Sequence, residues 1–165
     1  MRRMARAAFV VLLIVAVAYI VATTRQLPAQ VASHFGNDRH ASGWMTRALY
    51  RSLMVGFATL LPTLIVAAIA TLPRVVSRPR NPARRARRDV LARRNVATTA
   101  LADHAPWLGC LLSTFIAGLH YTILEANALT PPHLPAGAFL VLVAGFLGLL
   151  TLWVYTLEAR LRRPH

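Results

Sequence analysis

Eleven side chains in this sequence could act as acids, bases or metal ligands: six histidines and five carboxylates. His34, Asp38 and His40 crowd into one short segment, and His120, Glu125 and His133 recur further along. Imidazole nitrogen and carboxylate oxygen together would suit zinc or copper. Spacing alone specifies no such site, and no metal or cofactor is expected. Asp89, Asp103 and Glu158 complete the carboxylates. The chain has no G-x-G-x-x-G, no Walker sequence, no H-E-x-x-H and no G-x-S-x-G. Its one cysteine, Cys110, excludes an internal disulfide and a cysteine-based metal site. These absences point away from an enzyme.

The elements that must position these groups are four apolar runs, Ala5–Ala22, Leu49–Leu72, Pro106–Leu124 and Ala136–Leu157. Each approaches the roughly 20 apolar residues that cross a hydrocarbon core about 30 Å thick. A helix alone satisfies its own backbone there, so the expected fold is all-α. The chain reads as one polytopic membrane domain over 1–165, with spans at 5–22, 49–72, 106–124 and 136–157. An outer motif loop covers 23–48 and a cytoplasmic basic loop covers 73–105. On this topology Asp38 and Glu125 are outside and the other three acids inside, so paired carboxylate catalysis has few partners.

The net charge of +14 invites a nucleic-acid reading, which its distribution opposes. All 19 basic residues are arginine, a bias that fits GC-rich codon usage better than phosphate recognition. Arg2, Arg3 and Arg6 precede the first span, nine arginines separate the second from the third, and Arg160, Arg162 and Arg163 follow the fourth. Cytoplasmic segments retain such residues, so both termini and loop 73–105 are expected on the cytoplasmic side of the membrane. The first span reads as an uncleaved signal anchor, because apolar residues continue past the small Ala16-Val17-Ala18 pattern.

Within the basic loop, Pro73 and Pro79 are expected to end the second helix. Asn81-Pro82 has the form of a helix start. From there to Ala102 an Arg-rich amphipathic helix is expected along the cytoplasmic membrane face. Its Arg84, Arg85, Arg87, Arg88, Arg93 and Arg94 would meet anionic lipid headgroups. Pro62 predicts a bend in the second span. Gly109, Ser113, Ala117 and His120 share one side of the third span, and Gly137, Gly145 and Gly148 give the fourth a surface suited to tight packing. His120 and Glu125 are the intramembrane polar candidates. His120 reads either as a functional ionisable group or as a neutral imidazole bonded to a neighbouring helix.

In the outer loop, Leu27, Val31 and Phe35 recur at spacing four, which predicts a short helical turn on the interface. Trp44 and Tyr50 flank the second span, as headgroup-level anchors do. The segment LPAQVASHFGNDRHASGWMTR resembles the bacterial membrane family called domain of unknown function 1648 (DUF1648). Leu27, Pro28, His34, Phe35, Trp44 and Arg47 occupy the matching positions. The resemblance covers Leu27–Leu72 and extends more weakly over Asn81–Ala117. The same module resembles the N-terminal part of Sdp-type toxin-immunity proteins, whose second half has no counterpart in this chain. Arg39 stands where the family carries a turn glycine, and Arg47 where it carries lysine. The resemblance implies a non-catalytic envelope sensor or immunity-like protein with an extracytoplasmic peptide or membrane-protein partner. A small transporter or channel component, using His120 or Glu125, is the alternative.

Overall fold

The computed structural model describes residues 2–76 and 88–161. Four helices dominate: α1 (Arg2–Thr23), α2 (Arg47–Val76), α3 (Arg88–Ala128) and α4 (Ala136–Leu161). All four contain segments long and apolar enough to cross a membrane. At 1.5 Å per residue, the 22 residues of α1 extend roughly 33 Å. Helix α3 packs against each of the other three and is the hub of the bundle.

Two helices outrun their expected limits. α2 continues through Pro73 to Val76, and α3 passes through Pro106 without interruption for 41 residues. A proline deletes one helical hydrogen bond, but the neighbouring bonds can carry the helix across it. Loop residues 88–105 are therefore continuous with the third span, not a separate surface helix. The expected cap at Asn81 lies outside the described residues, as do Arg84, Arg85 and Arg87. Arg88, Arg93 and Arg94 belong to the first turns of α3. Helix α2 also runs unbroken through Pro62, whose side chain is fully buried.

The loop between α1 and α2 departs from an all-helical fold. A 3₁₀ turn at Thr24–Gln26 is followed by an antiparallel hairpin of β1 (Gln30–Phe35) and β2 (Ala41–Thr46). The pairs run from Gln30 opposite Thr46 to Phe35 opposite Ala41, with irregularities around His34. The spacing of Leu27, Val31 and Phe35 mimics a helix, yet the cross-strand ladder supplies partners that an isolated turn lacks. Leu27 and Val31 still bury together against Tyr50.

Close helix approach depends on two glycines of α3. A Cβ on Gly109 would lie 2.6 Å from the Phe9 ring of α1 and 2.8 Å from Val66 of α2. One on Gly118 would collide with Leu142 of α4. The α4 glycines behave differently: Gly137, Gly145 and Gly148 face open space, and no α4 residue is buried. The tight packing expected of the fourth span is provided by α3 glycine instead. Gly109→Ala is expected to lower stability by about 1–3 kcal/mol, whereas Gly145→Ala, which meets no neighbour, should not lower it and gains up to about 1 kcal/mol of helix propensity. Thermal melts of both variants in detergent check the contrast.

Candidate functional site

The polar chemistry gathers where α1 ends, α2 begins and α3 approaches its C-terminus. His120 is completely buried, eight residues before Ala128, or roughly 12 Å along the helix. Its Nε2 lies 2.8 Å from Thr23 Oγ1, and its Nδ1 lies 2.8 Å from the Tyr50 hydroxyl. Thr23 Oγ1 also donates to the Tyr19 carbonyl at 2.7 Å. A threonine hydroxyl has one proton, so toward His120 it must accept. The imidazole therefore carries its proton on Nε2 and accepts at Nδ1 from Tyr50. Each group in the series Tyr50, His120, Thr23, Tyr19 donates to the next, ending on a helix carbonyl. The Tyr50 ring stacks on the imidazole at 5.7 Å, and Tyr19 meets it edge-on at 5.6 Å.

Every polar atom of this neutral imidazole is satisfied by the bundle. That geometry makes His120 a brace between three helices. Glu125 takes no part in it: its carboxylate accepts from the Tyr121 hydroxyl one turn earlier on α3, and that pair is exposed at Tyr121. Tyr50, expected among the headgroup anchors, points inward and is 4 % exposed. A tyrosine at a span end suits either role, and only the position of His120 on another helix decides between them.

The hairpin stands on this brace. Leu27, Val31 and Tyr50 form one buried cluster, packed by Met45, Met54, Ile123 and Leu124. Arg47, at the first position of α2, donates from Nη1 to the carbonyls of Leu27 at 2.9 Å and Arg25 at 3.1 Å. Its backbone N–H donates to Ala29. Opposite, Asn127 of α3 receives the Ala32 N–H at 2.8 Å and donates to the Ala32 carbonyl at 2.9 Å. One side-chain amide thus pairs with a β1 residue as a neighbouring strand would. The sequence places Asn127 on the same helix face as His120, but its partner is visible only in the fold.

The remaining motif residues face outward. Pro28 and His34 are exposed, and Trp44 is 56 % exposed beside Ala32 in the ladder. Phe35 is half-buried. At the hairpin tip Arg39 adopts φ 67°, the left-handed region that glycine enters freely. The α3–α4 loop holds this tip: Leu134 N–H donates to Arg39 O at 2.8 Å and Ala41 N–H to Pro132 O at 3.2 Å. His40 and His133 face each other there with ring centroids 6.1 Å apart, and Asp38 Oδ2 is 3.4 Å from His40 Nδ1. Among the described residues no three such groups converge to hold a metal ion. His34 and His120 lie apart from this pair, one on the hairpin's open side and one in the bundle.

No protein-family model, curated protein or solved structure matches the chain.

Three outcomes follow from this geometry. Tyr50→Phe and His120→Leu should each destabilise the protein and show a coupling of about 0.5–1.5 kcal/mol in a double-mutant cycle of thermal melts. Asn127→Leu strands both backbone groups of buried Ala32 and should cost about 1–3 kcal/mol. Arg39→Gly should raise stability by up to about 1 kcal/mol, since relief of the left-handed strain exceeds the added unfolded-chain entropy.

Proposed function

We propose that this protein is a multi-pass protein of a bacterial inner membrane whose outer hairpin recognises an extracytoplasmic peptide or membrane protein. In this reading it is a non-catalytic envelope sensor or immunity-like protein, with both termini cytoplasmic. The observation that carries the reading is the clamping of the hairpin. Asn127 of α3 holds the β1 backbone at Ala32 and Arg47 of α2 holds the segment leading into β1, while His34 and Trp44 stay exposed. A loop that merely joined two spans would need no such support. A rigid platform presenting an aromatic ring and an imidazole is suited to binding, because little ordering entropy remains to be lost. The likeness to DUF1648 read from Leu27–Leu72 would imply the same assignment. The closed hydrogen-bond chain at His120 favours a structural brace over a step in ion transport.

The topology has a direct test. Ser42 is exposed on β2, so Ser42→Cys in a Cys110→Ala background should react with an impermeant maleimide on intact cells. Labelling only after lysis would reverse the orientation. For function, a deletion strain is challenged with envelope-active peptides and complemented by wild type, His34→Ala or Trp44→Ala at matched membrane levels. Recognition through the hairpin predicts rescue by wild type and at least tenfold weaker protection by Trp44→Ala, the loss expected of a central aromatic contact. Equal rescue by all three would remove the hairpin from the function.

A further inference from the structure

Arginine outside the cytoplasm runs against the charge rule that orients this chain. Four arginines nevertheless lie in or beside the outer loop: Arg25, Arg39, Arg47 and Arg51. Three of them come together. Arg25 follows α1, Arg47 opens α2 and Arg51 lies one turn later, and with Thr24 and Ala48 they line a single cleft of about 280 Å³. All three arginine residues are exposed, whereas Thr24 at the base is buried.

No carboxylate lines this cleft. The two acids of the outer segments are engaged elsewhere, Asp38 with His40 and Glu125 with Tyr121. Arg47 directs Nη1 at two carbonyls, which fixes its guanidinium in place. The cleft also sits at the N-terminus of α2, a 30-residue helix with no acidic residue in its first turn. The positive end of the helix dipole therefore adds to the guanidinium charge, although the Arg47 and Leu49 N–H groups of that turn already donate to Ala29 O and Thr46 Oγ1. Like charges gathered in one cleft repel, an effect that solvent screens at exposed side chains and that a bound anion would neutralise.

We propose that Arg25, Arg47 and Arg51 form an anion-binding cleft for a phosphate group. Planar guanidinium forks pair bidentately with phosphate oxygens, and a helix N-terminus accepts the same group. The site lies at the end of the membrane-crossing segments, so a phospholipid headgroup and a free phosphate are both chemically suitable sources. Its leaflet depends on the topology proposed above; its anion chemistry does not. Arg47 also holds the carbonyls of Arg25 and Leu27 in the segment leading into β1, so occupancy of the cleft would stiffen the entry to the hairpin.

The test uses the purified full chain in neutral detergent and reads the thermal midpoint. One titration adds inorganic phosphate, a second adds phosphatidylglycerol, and a third adds phosphatidylcholine as the zwitterionic control. A ligand that binds the folded state alone raises the midpoint with concentration. Phosphatidylglycerol raising it while phosphate and phosphatidylcholine do not identifies an anionic headgroup. A response to phosphate itself identifies a soluble anion. Arg25→Gln and Arg51→Gln, which spare the Arg47 clamp, should each weaken the response about tenfold or more. Arg39→Gln, outside the cleft, should leave it intact. No response in wild type, or equal responses in wild type and Arg25→Gln/Arg51→Gln, overturns the proposal. The maleimide labelling of Ser42→Cys reports orientation separately, so a reversed topology and an absent anion site give different results.

Discussion

A buried imidazole must satisfy two nitrogens of opposite character, one donor and one acceptor, and the arrangement of this protein turns on how His120 does so. Thr23 ends α1, Tyr50 begins α2 and His120 lies on α3, and the three meet within 2.8 Å contacts. Rotation of any of these helices by one residue, about 100°, would leave a polar atom stranded in an apolar interior. Apolar packing between long helices tolerates many registers, because one leucine surface resembles another. A directional chain of four groups tolerates one. The interaction that is weakest in count thus selects among the packings that the apolar contacts permit.

The outer hairpin inherits its position from that choice. Tyr50 uses its hydroxyl for His120 and its ring as the floor under Leu27 and Val31. Asn127 lies seven residues after His120, two helical turns on, and so appears on the same side of α3 with its amide toward β1. A two-stranded hairpin is marginal by itself in water. This one gains a buried face, a surrogate strand edge at Ala32 and a tether at its tip from residues 132–134. His34 and Trp44 are consequently held at fixed positions relative to the bundle.

Much of this architecture is legible from local pattern. The four helices long and apolar enough to cross a membrane follow from apolar length, because few other structures require twenty such residues together. The inward side of α3 follows from Gly109, Ser113 and His120 at helical spacing. The hairpin does not, since β1 reads QVASHF and β2 reads ASGWMT, with neither strand alternating cleanly. Its stability comes from pairing across 6 to 16 residues and from Asn127, 95 residues away from Ala32. The start of the third crossing is also obscured. Pro106 resembles a helix start, and the preceding arginines resemble a surface segment, yet α3 is continuous through both. Thr23 and Tyr50 escape notice because a hydroxyl at a span end has a sufficient local explanation. Arg39 is the reverse case: a residue where glycine is expected keeps the left-handed turn and stores the strain.

Charge then carries two separate meanings in one chain. The arginines of the expected cytoplasmic segments act collectively, through number and side, and individual replacement there alters little of the topological sum. The outer arginines act singly. Arg47 binds carbonyls of the segment leading into the hairpin, Arg39 shapes the turn, and Arg25 and Arg51 complete a cleft with no acid of its own. On the proposed topology each of these arginines opposes the orientation signal, which a local interaction can offset. For Arg47 that interaction is the pair of carbonyl hydrogen bonds. For Arg25 and Arg51 the protein supplies a cavity, a third guanidinium and a helix N-terminus, all of one sign. A partner of opposite sign is the element that makes this arrangement electrostatically consistent.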